Sequence, residues 1–186
     1  MKIPNVLTII RFILIPLIGY MLYSSNPNII LISIALFAFA VFTDWADGYI
    51  ARNCNLKSVF GTFFDPIVDK MLILTIFFIF ADIKIIPLWT ALLILFREFF
   101  VTGIRQVCST KKKIVGANWM GKSKFMLQTV GVFFLQFVLY FKLIGMPNII
   151  FNETTGFYFI MIVVVVSLAF ASNFLYWHRK KLLTGI

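Results

Sequence analysis

The stretch Asp44–Lys70, DWADGYIARNCNLKSVFGTFFDPIVDK, stands apart from the chain around it. The 186 residues hold seven acidic side chains, and four of them, Asp44, Asp47, Asp65 and Asp69, fall inside this stretch. Elsewhere the chain is strongly apolar: 61% of residues are hydrophobic, 23 are phenylalanine and 13% are charged. Soluble domains carry about 25% charged residues, so this is not a soluble composition. Mean hydropathy is +0.98.

Outward from the acidic stretch, apolar runs recur at Val6–Tyr23, Ile29–Ala51, Phe60–Ala81, Ile85–Val107, Phe125–Phe141 and Phe157–Trp177. Each is long enough to cross a hydrocarbon core of roughly 30 Å. They predict an all-α, polytopic membrane protein of six transmembrane helices, with residues 1–186 forming one membrane domain. The first run is read as a retained span rather than a signal peptide, because it lacks a small-residue cleavage site and Arg11 interrupts it.

Placing both termini in the cytoplasm puts twelve lysines and arginines in inside segments, against Lys84 and Lys142 outside. That asymmetry is the positive-inside signature. The formal net charge of +10 then reflects topology and anionic lipid headgroups, and nucleic-acid binding is excluded as its explanation. Tyr20, Tyr23, Trp119, Tyr176 and Trp177 near span ends are expected as interfacial anchors, and His178 as an interfacial residue. Cys54 and Cys108 show no metal-type spacing and are expected to be inert thiols.

On a helix, Asp44 and Asp47 are i, i+3 neighbours, and Gly48, Ala51 and Arg52 continue that face. On the next helix Gly61, Asp65 and Asp69 recur every four residues. Gly48, Ala51 and Gly61 leave room for a ligand or a neighbouring backbone to approach. Four uncompensated carboxylates at the membrane centre would cost about 10–14 kcal/mol. Two divalent cations would neutralise them, and all-oxygen ligation suits hard ions such as Mg²⁺ or Mn²⁺. Paired metals suit substitution at phosphorus, since they stabilise both the attacking and the leaving oxygen. The competing reading is a buried salt-bridge network, for which only Arg52 and Lys70 are near in sequence.

The pattern Asp44-x-x-Asp47-Gly48-x-x-Ala51-Arg52-x8-Gly61-x3-Asp65-x3-Asp69 resembles the complete signature of the CDP-alcohol phosphotransferase family, and all eight fixed positions match. The resemblance implies a six-span fold and, at the cytoplasmic face of a bacterial inner membrane, chemistry on a CDP-linked lipid. It implies that Asp44, Asp47, Asp65 and Asp69 bind two metal ions, that Asp69 is also the general base, and that Gly48, Ala51, Arg52 and Gly61 line the CDP pocket. A homodimer is implied in the same way.

The flanks Ile3–Pro16, Asp65–Lys70, Arg97–Arg105 and Gly121–Gln128 resemble the phosphatidylglycerophosphate synthase branch of that family. This resemblance implies CDP-diacylglycerol as donor and sn-glycerol 3-phosphate as acceptor. Arg97 and Arg105 lie eight residues apart on one helix face, and Lys122 and Lys124 open the following helix at the same level, as a phosphate-bearing acceptor would want. Asn5, Thr8 and Arg11 share a face of the first span; the resemblance places Asn5 and Thr8 near the nucleotide and Arg11 near the acceptor phosphate. Arg97 lies well inside its span and is expected to pair with a motif acid or a substrate phosphate, with Glu98 directed elsewhere on the helix. Inositol phosphate, serine and phosphatidylglycerol are the alternative acceptors. A divalent-cation transporter is the alternative of a different class, and it should instead carry polar residues through the midplane of several helices.

Overall fold

A computed structural model describes the backbone of residues 3–53, 59–110, 119–146 and 153–183, with side chains described over 8–44, 46, 67–104, 125–146 and 153–173. The described chain is all helical, with six helices: α1 (Ile3–Leu22), α2 (Pro27–Asn53), α3 (Val59–Asp82), α4 (Leu88–Thr110), α5 (Trp119–Ile144) and α6 (Glu153–Leu183). Several helices outrun their apolar sequence runs. Backbone hydrogen bonding continues where hydropathy stops, so α6 runs from Glu153 to Leu183 although its apolar run is Phe157–Trp177.

The helix ends have local causes. Asn26 caps α2: its Oδ1 accepts from the Asn28 amide at 3.0 Å and its carbonyl accepts from Ile29 at 3.1 Å. Between α3 and α4 the amide of Ile85 donates to the Phe80 carbonyl at 3.0 Å, and Lys84 turns the chain with φ 63°. Ile85 and Ile86 are buried in this turn, and Pro87, which has no amide hydrogen to give, precedes the first residue of α4. The fourth helix therefore starts three residues after its apolar run does.

Helix α1 packs against α2 and α3, α5 packs against α6, α2 and α3, and α4 sits between α3 and α6. Ile18, Ile30, Phe37, Phe77, Phe80, Leu135 and Ile160 fill the centre and are almost fully buried. Phe37 of α2 meets Phe133 of α5 edge-on with ring centroids 4.9 Å apart. Phe134 stacks on Phe159 of α6 at 4.6 Å. Glycine sets the closest approach: a Cβ on Gly19 of α1 would stand 3.1 Å from Ile79 Cδ1 of α3.

The outer surface is as apolar as the core. Phe12, Ile13, Phe42, Phe96, Phe99, Tyr158 and Val165 are all exposed, which a water-facing monomer does not sustain. Among the described residues Pro27–Asp44, Phe125–Ile144 and Glu153–Asn173 are long and apolar enough to cross a membrane. The chain is a helical membrane protein.

Candidate active site

The site forms where α1, α2 and α3 meet. The local sequence of α2 carries Asp44, Asp47, Gly48, Ala51 and Arg52 on its last three turns, and α3 carries Gly61, Asp65 and Asp69 on its first three. Asp44 of α2 and Asp69 of α3 come to the same end of the bundle, where both meet Arg11 of α1. Asp44 and Asp69 are the two motif acids whose side chains are described. The side chains of Asp47, Arg52 and Asp65, and the surroundings of Gly48, Ala51 and Gly61, lie outside the described residues, as do those of Asn5, Arg105, Lys122 and Lys124.

What joins Asp44 to Asp69 is Arg11. Its NH1 donates to Asp44 Oδ1 at 2.9 Å and also to Asp69 Oδ1. The arginine is 1% exposed, whereas Asp44 and Asp69 are 28% and 22% exposed. A guanidinium so far from water needs carboxylate partners. Thr8, one helical turn earlier on α1, is buried beside it. Only Arg52 and Lys70 are bases near the acids in sequence, whereas Arg11 reaches Asp44 and Asp69 from 33 and 58 residues away.

Lys70, the base adjacent to Asp69, turns the other way: its Nζ donates to Thr102 Oγ1 on α4, and that hydroxyl donates to the Glu98 carbonyl at 2.7 Å. Successive residues on a helix point about 100° apart, so Lys70 is free to tie α3 to α4 while Asp69 faces α1.

The expectation that Glu98 is directed away from Arg97 is corrected. The NH1 of Arg97 donates to Glu98 Oε1 at 2.8 Å, and its Nε donates to the Ser167 carbonyl of α6 at 3.0 Å. Gln128 of α5 adds a bond from Nε2 to the same Glu98 oxygen at 3.2 Å. Glu98 thus does not point away. In an apolar interior the long arginine side chain curls around its own helix to reach the nearest carboxylate, which i, i+1 geometry alone would not predict. Glu98, Thr102 and Gln128 are site neighbours that sequence reading missed. The available signal was Glu98 itself, an acid well inside an apolar run and therefore in need of a partner.

Chemically, two carboxylate oxygens from separate helices converge on one positive nitrogen, and both acids are partly solvent-accessible. Carboxylate oxygens are the kind of ligand that a hard cation takes.

Residues 1–177 match the profile of the family described as CDP-alcohol phosphatidyltransferase. The chain is 35% identical over 159 residues to the CDP-diacylglycerol–glycerol-3-phosphate 3-phosphatidyltransferase of Bacillus subtilis, covering 78% of this chain and 82% of that one. The like-named protein of Rickettsia bellii is 36% identical over 160 residues, 83% of each chain. That of Rickettsia typhi is 42% identical over 130 residues, 68% of this chain and 71% of the relative.

Proposed function

The chain belongs to the CDP-alcohol phosphatidyltransferase family, and from that premise we propose that it transfers a phosphatidyl group from CDP-diacylglycerol to sn-glycerol 3-phosphate, releasing CMP. The acceptor follows the names of the relatives. The observation that carries the site is the convergence of the first and last motif aspartates, from different helices, on a single cation.

In this reading Asp44, Asp47, Asp65 and Asp69 hold divalent metal, two Mg²⁺ or Mn²⁺ ions, which would supply Lewis-acid stabilisation of charge on the diphosphate. Asp69 takes the proton from the attacking glycerol hydroxyl. The hydroxyl oxygen forms a bond to the β-phosphorus as the bond from that phosphorus to the CMP oxygen breaks, so the electron pair leaves with CMP. Gly48, Ala51 and Gly61 let the nucleotide approach the helix backbones, with Asn5 and Thr8 beside it, and Arg52 pairs with the diphosphate. Arg105, Lys122 and Lys124 take the acceptor phosphate. Arg97 braces that region from within its pair with Glu98.

All six helices span the bilayer, with both termini and the motif at the cytoplasmic face; the distribution of lysine and arginine supports this orientation. Soluble acceptor and CMP then exchange with the cytoplasm while acyl chains stay in lipid.

The test is incorporation of radiolabelled glycerol 3-phosphate into lipid by the purified protein with CDP-diacylglycerol, with and without Mg²⁺. Metal-dependent lipid product with one CMP per product is the expected result. CMP release only with inositol phosphate, serine or phosphatidylglycerol would keep the family chemistry and overturn the acceptor.

A further inference from the structure

Arg11 engages two of the carboxylates that the proposed chemistry needs for metal. A single nitrogen, NH1, touches Oδ1 of Asp44 and Oδ1 of Asp69, so the guanidinium bridges two helices the way a point cation would. Oxygen ligands of one Mg²⁺ each lie about 2.0–2.1 Å from it. An ion shared by these two oxygens would have to sit in the space NH1 fills, and the two positive charges would repel at close range.

Access points the same way. The arginine is 1% exposed and lies beneath the carboxylates, which are 28% and 22% exposed. An ion arriving from solvent meets the acids first and the guanidinium behind them. The arginine hangs from α1, while both carboxylates hang from α2 and α3, so it can withdraw without either ligand helix moving.

We propose that Arg11 is a positioning residue: it holds Asp44 and Asp69 together on one nitrogen in the metal-free protein, and a divalent ion binds by taking its place. This rests on the reading of the motif aspartates as metal ligands. Two consequences follow from competition for one position. The apparent metal affinity is lowered by the fraction of molecules in which Arg11 is engaged. Any phosphate-bearing substrate that draws the guanidinium away raises metal affinity, and metal raises substrate affinity by the same factor.

The probe is Mn²⁺, whose binding to the full-length protein in detergent is followed by electron paramagnetic resonance, alongside the melting temperature with and without Mn²⁺. Arg11→Gln is expected to melt lower than the parent without metal and to bind Mn²⁺ about tenfold more tightly, if Arg11 is engaged in about nine molecules of ten. Saturating Mn²⁺ should close most of the melting-temperature gap. Arg11→Lys, which keeps a cation of different shape, should fall between the two and carries the test if the glutamine variant does not fold. CDP-diacylglycerol should tighten Mn²⁺ binding more in the parent than in either variant. Mn²⁺ affinity in the variants equal to or weaker than in the parent, with a stability deficit that metal leaves untouched, would overturn the proposal. Asp44→Asn separates the two levels of argument. If it loses Mn²⁺ binding while the Arg11 variants bind as the parent does, only the role of Arg11 fails. If it too binds as the parent does, the metal reading fails and the proposal with it.

Discussion

Arg11 and Arg97 are both buried within the same bundle and both meet carboxylates, yet the two clusters differ in openness. Arg97 and Glu98 are closed off, 5% and 6% exposed, and their hydrogen bonds include one from Gln128 and one to the Ser167 carbonyl. Arg11 faces two acids that are partly open to solvent, in a sequence neighbourhood holding four. A closed pair is shut off from solvent ions and braces the three helices it joins. In the proposed reading the open cluster, which solvent reaches, is where a second cation would bind. Burial of an arginine therefore says little about its role; the charge count and accessibility of its partners say more.

The largest effect expected from breaking this contrast is on the open cluster. Asp69→Asn should lower the rate of CMP release by about 10²–10⁴-fold, the usual contribution of a general base, in protein that still elutes as the folded species. A rate within a factor of two of the parent would remove Asp69 from the chemistry.

The closed cluster should respond in stability instead. Arg97→Met takes a charged partner from the buried Glu98 carboxylate and should cost about 3–5 kcal/mol, read from unfolding in a denaturing detergent series. Adding Glu98→Gln should recover much of that loss, since the remaining amide keeps Gln128 as a neighbour without a buried charge. Mn²⁺ should rescue neither variant. Rescue by Mn²⁺ would erase the distinction between the clusters.

A subtler break lies in the helix packing beneath Arg11. Gly19→Leu drives atoms into Ile79 Cδ1, 3.1 Å from the position of the new Cβ, and so pushes α1 from α3. Overpacking of this kind costs about 1–3 kcal/mol. It should also alter Mn²⁺ binding, because Arg11 and Asp69 ride on those two helices. Unchanged stability and Mn²⁺ binding would mean that the α1–α3 contact does not set the site.

The smallest effect is expected between the ends of α1 and α3, remote from both clusters. The Tyr23 hydroxyl donates to Asp82 Oδ2 at 2.7 Å. That hydrogen bond, with burial and the aspartate charge adding to it, raises the phenol above its ordinary value of 10.0. Because the folded-state value is raised, the bond contributes stability in full below about pH 10. The contribution is lost as pH climbs through the folded value. Tyr23→Phe should therefore differ slightly from the parent at neutral pH and converge with it in strong alkali, with no change in the rate of CMP release. A stability gap that widens with alkali would contradict the hydrogen bond.

The six helices were legible in the sequence because their signal is local: apolar length, prolines near helix starts, and Asn26 before α2. The spacing of Asp44 with Asp47 and of Asp65 with Asp69 is local in the same way, i, i+3 and i, i+4 on helices that form, while the side chains of Asp47 and Asp65 lie outside the described residues. The partners of the buried charges were not legible. Arg11 reaches Asp44 and Asp69 only because α1 is packed at a particular depth and rotation against α2 and α3. Lys70 turns from its neighbour Asp69 toward Thr102 of α4. Arg97 meets Glu98 at a separation where helical geometry predicts no contact. Periodicity specifies which side of a helix a residue occupies; the long-range electrostatics of burial, decided only when the helices pack, specifies whom it meets.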